Sequence, residues 1–148
     1  MIIINQFRNL SLPFFQLLML MTSSLLAIHD AKTFKVSPLV FNIATPLILL
    51  CYALEIGISH FHFLFFLVLF FISNLIIWLF PAYIGGGDLK LLLSWSLVLS
   101  PIQFIWLLFY ASSSALLWIL LWKMITRKTH HKIPFVPFLT IGLFLIFL

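Results

Sequence analysis

Six runs rich in Leu, Phe and Ile, separated by short polar or Gly- and Pro-containing gaps, set the organisation of this chain. The first run covers residues 12–28 and gives way to a polar stretch at 29–37 that carries Asp30, Lys32 and Lys35. Pro38 suits the first turn of a second helix, where its missing N–H leaves no bond unmade. That helix is expected to reach about residue 54, with a kink at Pro46, before a polar patch at 55–60. Residues 61–80 form a third run, closed by Pro81 and followed by Gly85-Gly86-Gly87-Asp88-Leu89-Lys90. The apolar sequence from 89 to 122 is too long for one crossing and too short for two ideal ones, and Ser100-Pro101 is its natural break. This predicts a fourth helix over 89–100 and a fifth over 102–122. A basic loop at 123–132 then leads to a short sixth helix at 135–148. None of the runs alternates with a period of two, so a transmembrane barrel is excluded and the expected class is all-α.

Composition decides what solvent these helices need. With 64% hydrophobic and 7% charged residues, and a mean hydropathy of +1.26, the chain has more apolar surface than a soluble domain of 148 residues buries. The pattern predicts a polytopic membrane protein of about six transmembrane helices in a single domain covering 1–148. A fourth helix over 89–100 would be only about 18 Å long at 1.5 Å per residue. It is therefore expected to start within the bilayer, with the Gly-rich turn and Asp88 recessed.

The formal net charge of +5 would suggest nucleic acid in a soluble protein, but here the basic residues lie in the gaps between apolar runs and read as topology signals. On alternate sides, Lys32, Lys35, Lys90, Lys123, Arg127, Lys128 and Lys132 face Arg8 alone. The richer side is expected to be cytoplasmic, with both termini on the other side and lipid rather than nucleic acid as partner. Arg8 before an apolar run looks like a signal peptide, but no A-x-A-like site precedes Asp30 at a sensible distance and further runs follow. The first run reads as a retained helix.

The acidic residues are Asp30, Glu55 and Asp88, and the two aspartates fall on the expected cytoplasmic side at helix ends. Taken singly, Asp88 reads equally well as an N-cap and Asp30 as a solvated loop residue. Taken together they form a candidate acid–base dyad, since two neighbouring carboxylates cannot easily both ionise and the shared proton lets one activate water while the other protonates a carbonyl. On helix dipoles alone, Asp88 at a helix start is expected to be the ionised partner and Asp30 past a helix end the protonated one. Gly85, Gly86 and Gly87 would permit positive φ and close approach of an extended substrate backbone, or form only a flexible turn. Lys32 and Lys90 follow their aspartates by two positions, a spacing that does not pair side chains on a helix. His60 with His62, His130 with His131, and the lone Cys51 lack the partners of a metal site, so neither a metal nor a cofactor is expected.

Gly85-Gly86-Gly87-Asp88, with Lys90 following, resembles the GxGD motif of the prepilin peptidases. Asp30-Ala-Lys-Thr-Phe-Lys-Val-Ser-Pro is similar to the region of that family's first aspartate, and Ile133-Pro134-Phe135-Val136-Pro137-Phe138 to its closing Ile-Pro-Phe-Gly-Pro-Phe segment. Ser37-Pro38 stands where the family has Pro-Asn, and Val136 where it has Gly. The resemblance implies a multi-pass aspartic endopeptidase of the bacterial inner membrane that removes leaders from prepilins or pseudopilins for type IV pilus or secretion systems. It implies Asp30 and Asp88 as catalytic, and Gly85, Gly86, Gly87 and Lys90 as substrate-positioning. The chain resembles a short form without the cysteine-containing N-terminal region, so methylation of the product is not implied. Two alternatives stay open. One is a non-catalytic assembly factor or small transporter of the same fold, and the other is an intramembrane protease of the presenilin type, disfavoured because that group places its first aspartate within a span after Tyr, whereas Asp30 follows His29 in a loop.

Overall fold

A computed structural model of the protein describes residues 13–33, 36–79, 86–126 and 134–147. Among them are six α-helices and no strand. These are α1 (Phe14–Thr33), α2 (Pro38–Glu55), α3 (Phe63–Leu79), α4 (Gly86–Ser96), α5 (Pro101–Thr126) and α6 (Val136–Phe147), with a single 3-10 turn at Ile58–His60. Each of the six apolar runs is a helix, but only α1, α2 and the 101–125 stretch of α5 are long and apolar enough to cross a membrane. Helices α3 and α6 are apolar but shorter. The outward faces of these elements are greasy, with Met21 and Ile28 on α1, Leu64 and Trp78 on α3, and Ile105 and Met124 on α5 all exposed. That is a surface compatible with lipid contact.

Local chemistry explains several boundaries. Pro38 opens α2 as expected, and the helix continues through Pro46 to Glu55. At the start of α5 a capping box forms around Pro101. The Gln103 amide donates to Ser100 Oγ at 3.3 Å, and the Ser100 amide donates back to Gln103 Oε1 at 3.0 Å. At the start of α1 the Phe15 amide donates to Glu55 Oε2 at 3.3 Å, so the last residue of α2 satisfies an otherwise unpaired donor of its antiparallel neighbour.

Helices α1, α4 and α5 depart from the expected boundaries, α5 by continuing through Lys123 to Thr126 where the sequence predicts a basic loop from residue 123. Helix α1 does not stop at residue 28 but runs to Thr33, and Asp30 is therefore helical rather than part of a loop. The polar residues of this last turn serve the helix: Thr33 Oγ1 donates to the His29 carbonyl at 2.8 Å. Helix α4 starts at Gly86 and ends at Ser96, after which the chain turns before Pro101.

Packing places α1 between α2 and α6, with α6 also packed along α5, while α3 pairs chiefly with α4. Met19 of α1, Leu91 of α4, Leu107 of α5 and Leu139 and Leu143 of α6 are fully buried in one continuous core. The α5–α6 crossing is a backbone-level contact. A Cβ on Gly142 would sit 2.8 Å from the Leu107 carbonyl oxygen and 3.3 Å from the Ala111 amide nitrogen. Small residues at such a crossing let helices approach where no hydrophobic effect drives them together in lipid. Thr140 Oγ1 donates to the Ser23 carbonyl at 3.2 Å and so ties α6 to α1.

Candidate active site

Asp30 lies in the last turn of α1 and is 4% exposed. An ionisable side chain buried at that depth needs a partner, and Asp30 Oδ2 accepts a hydrogen bond from the Val136 backbone amide at 3.1 Å, 106 positions along the chain. Val136 is the first residue of α6, and its N–H belongs to the set that a helix leaves unpaired at its start. The bond therefore serves both sides: the helix gains an acceptor and the carboxylate a donor.

Asp88 lies in the first turn of α4, outside the three candidate spans, and is partly buried. Burial, and to a lesser degree the negative charge of Asp30, together push its pKa up from 3.8 to about 6. The two aspartates are therefore within electrostatic reach of each other although they come from different helices. Glu55 is at the opposite end of α1, beside Phe15. Fifteen helical residues separate Phe15 from Asp30, roughly 22 Å at 1.5 Å per residue.

The expectation that its helix start would keep Asp88 at low proton affinity is not met. Dipoles alone would keep Asp88 ionised, but such an effect is worth only about 0.3 to 1 kcal/mol, and burial together with repulsion from Asp30 outweighs it. Asp88 therefore keeps its proton up to about pH 6, well above the ordinary carboxyl range.

Close approach of α4 to the α1–α2 connection depends on Gly87. A Cβ at this position would lie 2.9 Å from Val36 Cγ2 and 3.0 Å from Val36 Cβ. Gly87 is helical, and among the described residues only Gly57, at φ 107°, has the positive φ that favours glycine. The structure thus uses Gly87 for its missing side chain, to seat α4 against Val36 next to Asp88. Gly86 begins α4, while Gly85 lies outside the described residues. Lys32 and Lys90 are exposed, each two helical positions past its aspartate.

No group of three or more potential metal-ligating side chains occurs among the described residues. His60 Nδ1 meets Ser59 Oγ at 3.3 Å, and the His62 amide donates to the Leu97 carbonyl at 3.1 Å. Cys51 is half-buried in α2, and His130 and His131 lie outside the described residues. Sequence reasoning missed two participants, Val36 and the Val136 amide. Val136 reads as a departure in its motif because a sequence displays side chains, whereas its contribution here is a backbone N–H that any residue except proline supplies.

Comparisons of the chain with protein-family models, with curated proteins and with solved structures gave no match.

The shifted carboxyl predicts a pH dependence of stability. Because the folded-state value of Asp88 is raised, its contribution is fully present below about 3.8 and is lost as pH rises through about 6. Thermal unfolding in detergent should therefore occur at lower temperature above pH 6 than near pH 4, apart from contributions of other groups. In Asp30→Asn the repulsion is gone, so the Asp88 titration followed by carboxyl 13C NMR should move to lower pH. An unchanged midpoint would show that the two carboxyls do not interact.

Proposed function

We propose that this protein is a membrane aspartic endopeptidase that removes leader peptides from prepilins or pseudopilins at the cytoplasmic face of a bacterial inner membrane. The observation that carries the reading is the pair itself: the chain's two aspartates, distant in sequence, sit at the ends of two helices, Asp30 buried and Asp88 half-buried, and interact by charge. Support for the substrate class comes from the sequence resemblance around Asp30, Gly85–Asp88 and Ile133–Phe138. In this reading all six helices serve as crossings, with α3, α4 and α6 the short ones, and Lys32, Lys90 and Lys123 lie on the cytoplasmic side with both termini opposite.

The proposed chemistry follows from the unequal carboxyls. Asp30, held by the Val136 amide, accepts a proton from water as that water attacks the scissile carbonyl, and protonated Asp88 donates to the carbonyl oxygen. The cationic side chains near the site would repel a basic leader, so recognition rests on the carboxylates, the Gly-rich turn and the apolar part of the substrate. No metal or cofactor enters this scheme. Co-expression with candidate prepilins is the test, scored by loss of the leader on gels and by mass spectrometry. Retention of full-length leader with every prepilin class tried would defeat the substrate assignment.

The helical position of Asp30 removes one of the two reasons for setting aside an intramembrane protease of the presenilin type, which shares GxGD, while His29 still stands where that group has Tyr. That second reading expects cleavage inside a substrate's transmembrane helix. Mass spectrometry of the same products separates the two by the position of the cut.

A further inference from the structure

We propose that the backbone amide of Val136 is a positioning group for the aspartate pair, so that the start of α6 decides which oxygen of Asp30 exchanges protons. This deepens the protease reading and rests on it. The amide donates to Oδ2 in a buried setting, and a carboxylate oxygen engaged by an amide is the poorer base of the two. Proton exchange with water therefore falls to Oδ1.

The donor is held in place on several sides. Val136 and Leu139 are fully buried, Thr140 is bonded to Ser23 of α1, and Gly142 lies directly against the Leu107 carbonyl of α5. A donor with this support keeps its direction when substrate enters, and preorganised dipoles of this kind need no rearrangement as charge moves. Only the N–H matters to Asp30, which accounts for a bulky Val at a position where the resembled segment has Gly.

The test uses full-length protein labelled with [13Cγ]aspartate, in which Asp30 and Asp88 are the two labelled carboxyls. Val136→Pro removes the donor at the first helical position, where proline is tolerated. An amide-to-ester replacement at residue 136 removes it while keeping the isopropyl group, should the proline variant fold poorly. Val136→Ala keeps the amide.

Both donor-less proteins should move the Asp30 resonance, assigned by its loss in Asp30→Asn, and should lower kcat for leader cleavage by roughly ten- to a hundredfold with KM within about twofold. Val136→Ala should leave the resonance in place and retain most of the activity. An Asp30 resonance that stays put without the donor, or a Val136→Ala protein as impaired as the ester, overturns the proposal. If the unmodified protein cleaves no prepilin, the protease reading fails on that result, and the resting-state resonance alone still decides whether the amide orders Asp30.

Discussion

Asp30→Asn and Asp88→Asn should each abolish leader cleavage, with a fall of roughly a hundredfold to ten-thousandfold, while the protein still inserts into the membrane. The two losses arise differently. Asparagine at 88 cannot supply the proton that the raised pKa keeps on Asp88. Asparagine at 30 can still accept from Val136 through its amide oxygen, so the α1–α6 junction survives while the base is gone. Neither change alters helix length or the apolar surface, so membrane yield should remain near that of the unmodified chain, as should thermal unfolding in detergent near pH 4, where Asp88 is protonated. The double variant should be no worse than either single one, because residues acting as a unit lose their effect together. Normal leader removal by either single variant would defeat the protease reading and favour a non-catalytic assembly factor or transporter of the same fold.

Gly87→Ala should be the most damaging small substitution outside the carboxyls. The added methyl would sit 2.9 Å from Val36 Cγ2 and 3.0 Å from Val36 Cβ, closer than real carbon contacts. Valine is branched at Cβ and has little rotameric freedom with which to yield. The start of α4 must then move away from Val36, and Asp88, the next residue, moves with it. A displacement of about 1 Å can cost on the order of a hundredfold in rate, so activity should fall by that order while the core around Leu91 and Trp95 stays intact. Val36→Ala removes Cγ2, the nearer of the two atoms, and leaves Cβ at 3.0 Å, so the Gly87→Ala/Val36→Ala double variant should recover part of the lost activity. Coupling between adjoining residues is what a double-mutant cycle measures. Additive losses, with no recovery in the double variant, would show that Gly87 acts elsewhere, for example directly against a substrate backbone.

An aspartate dyad built from two helix ends is sensitive to residues that never touch the reacting atoms. Val36 and Gly142 are apolar or have no side chain, yet each sets the spacing of helices that carry the acidic residues or their donors.

Much of the architecture was already legible in the amino-acid order. All six helices were visible as apolar runs, because lipid-compatible segments need continuous hydrophobicity and the breaks fall at residues with their own geometric demands. Pro38 fixes φ at a helix start, and Ser100-Pro101 with Gln103 forms a local capping box. Such signals act within one turn and need no distant partner. The two aspartates also stood out, since acidic residues are rare in so apolar a chain.

What the order of residues could not decide was the environment of those aspartates. Composition around Asp30 reads as a polar loop, but a donor 106 positions away and the packing of α1 against α6 make a further helical turn worthwhile and bury the carboxylate. Helix dipoles, a local property, assign the shared proton to Asp30. Burial and the neighbouring charge, which exist only once the helices are assembled, instead raise the proton affinity of Asp88. Gly87 follows the same division: the sequence identifies a residue without a side chain, and only the position of Val36 shows which atoms occupy the space a side chain would need. Local preferences of about 1 kcal/mol set where helices start and stop, whereas desolvation and contact at a few ångströms set the chemistry of the site, and those terms belong to the folded chain.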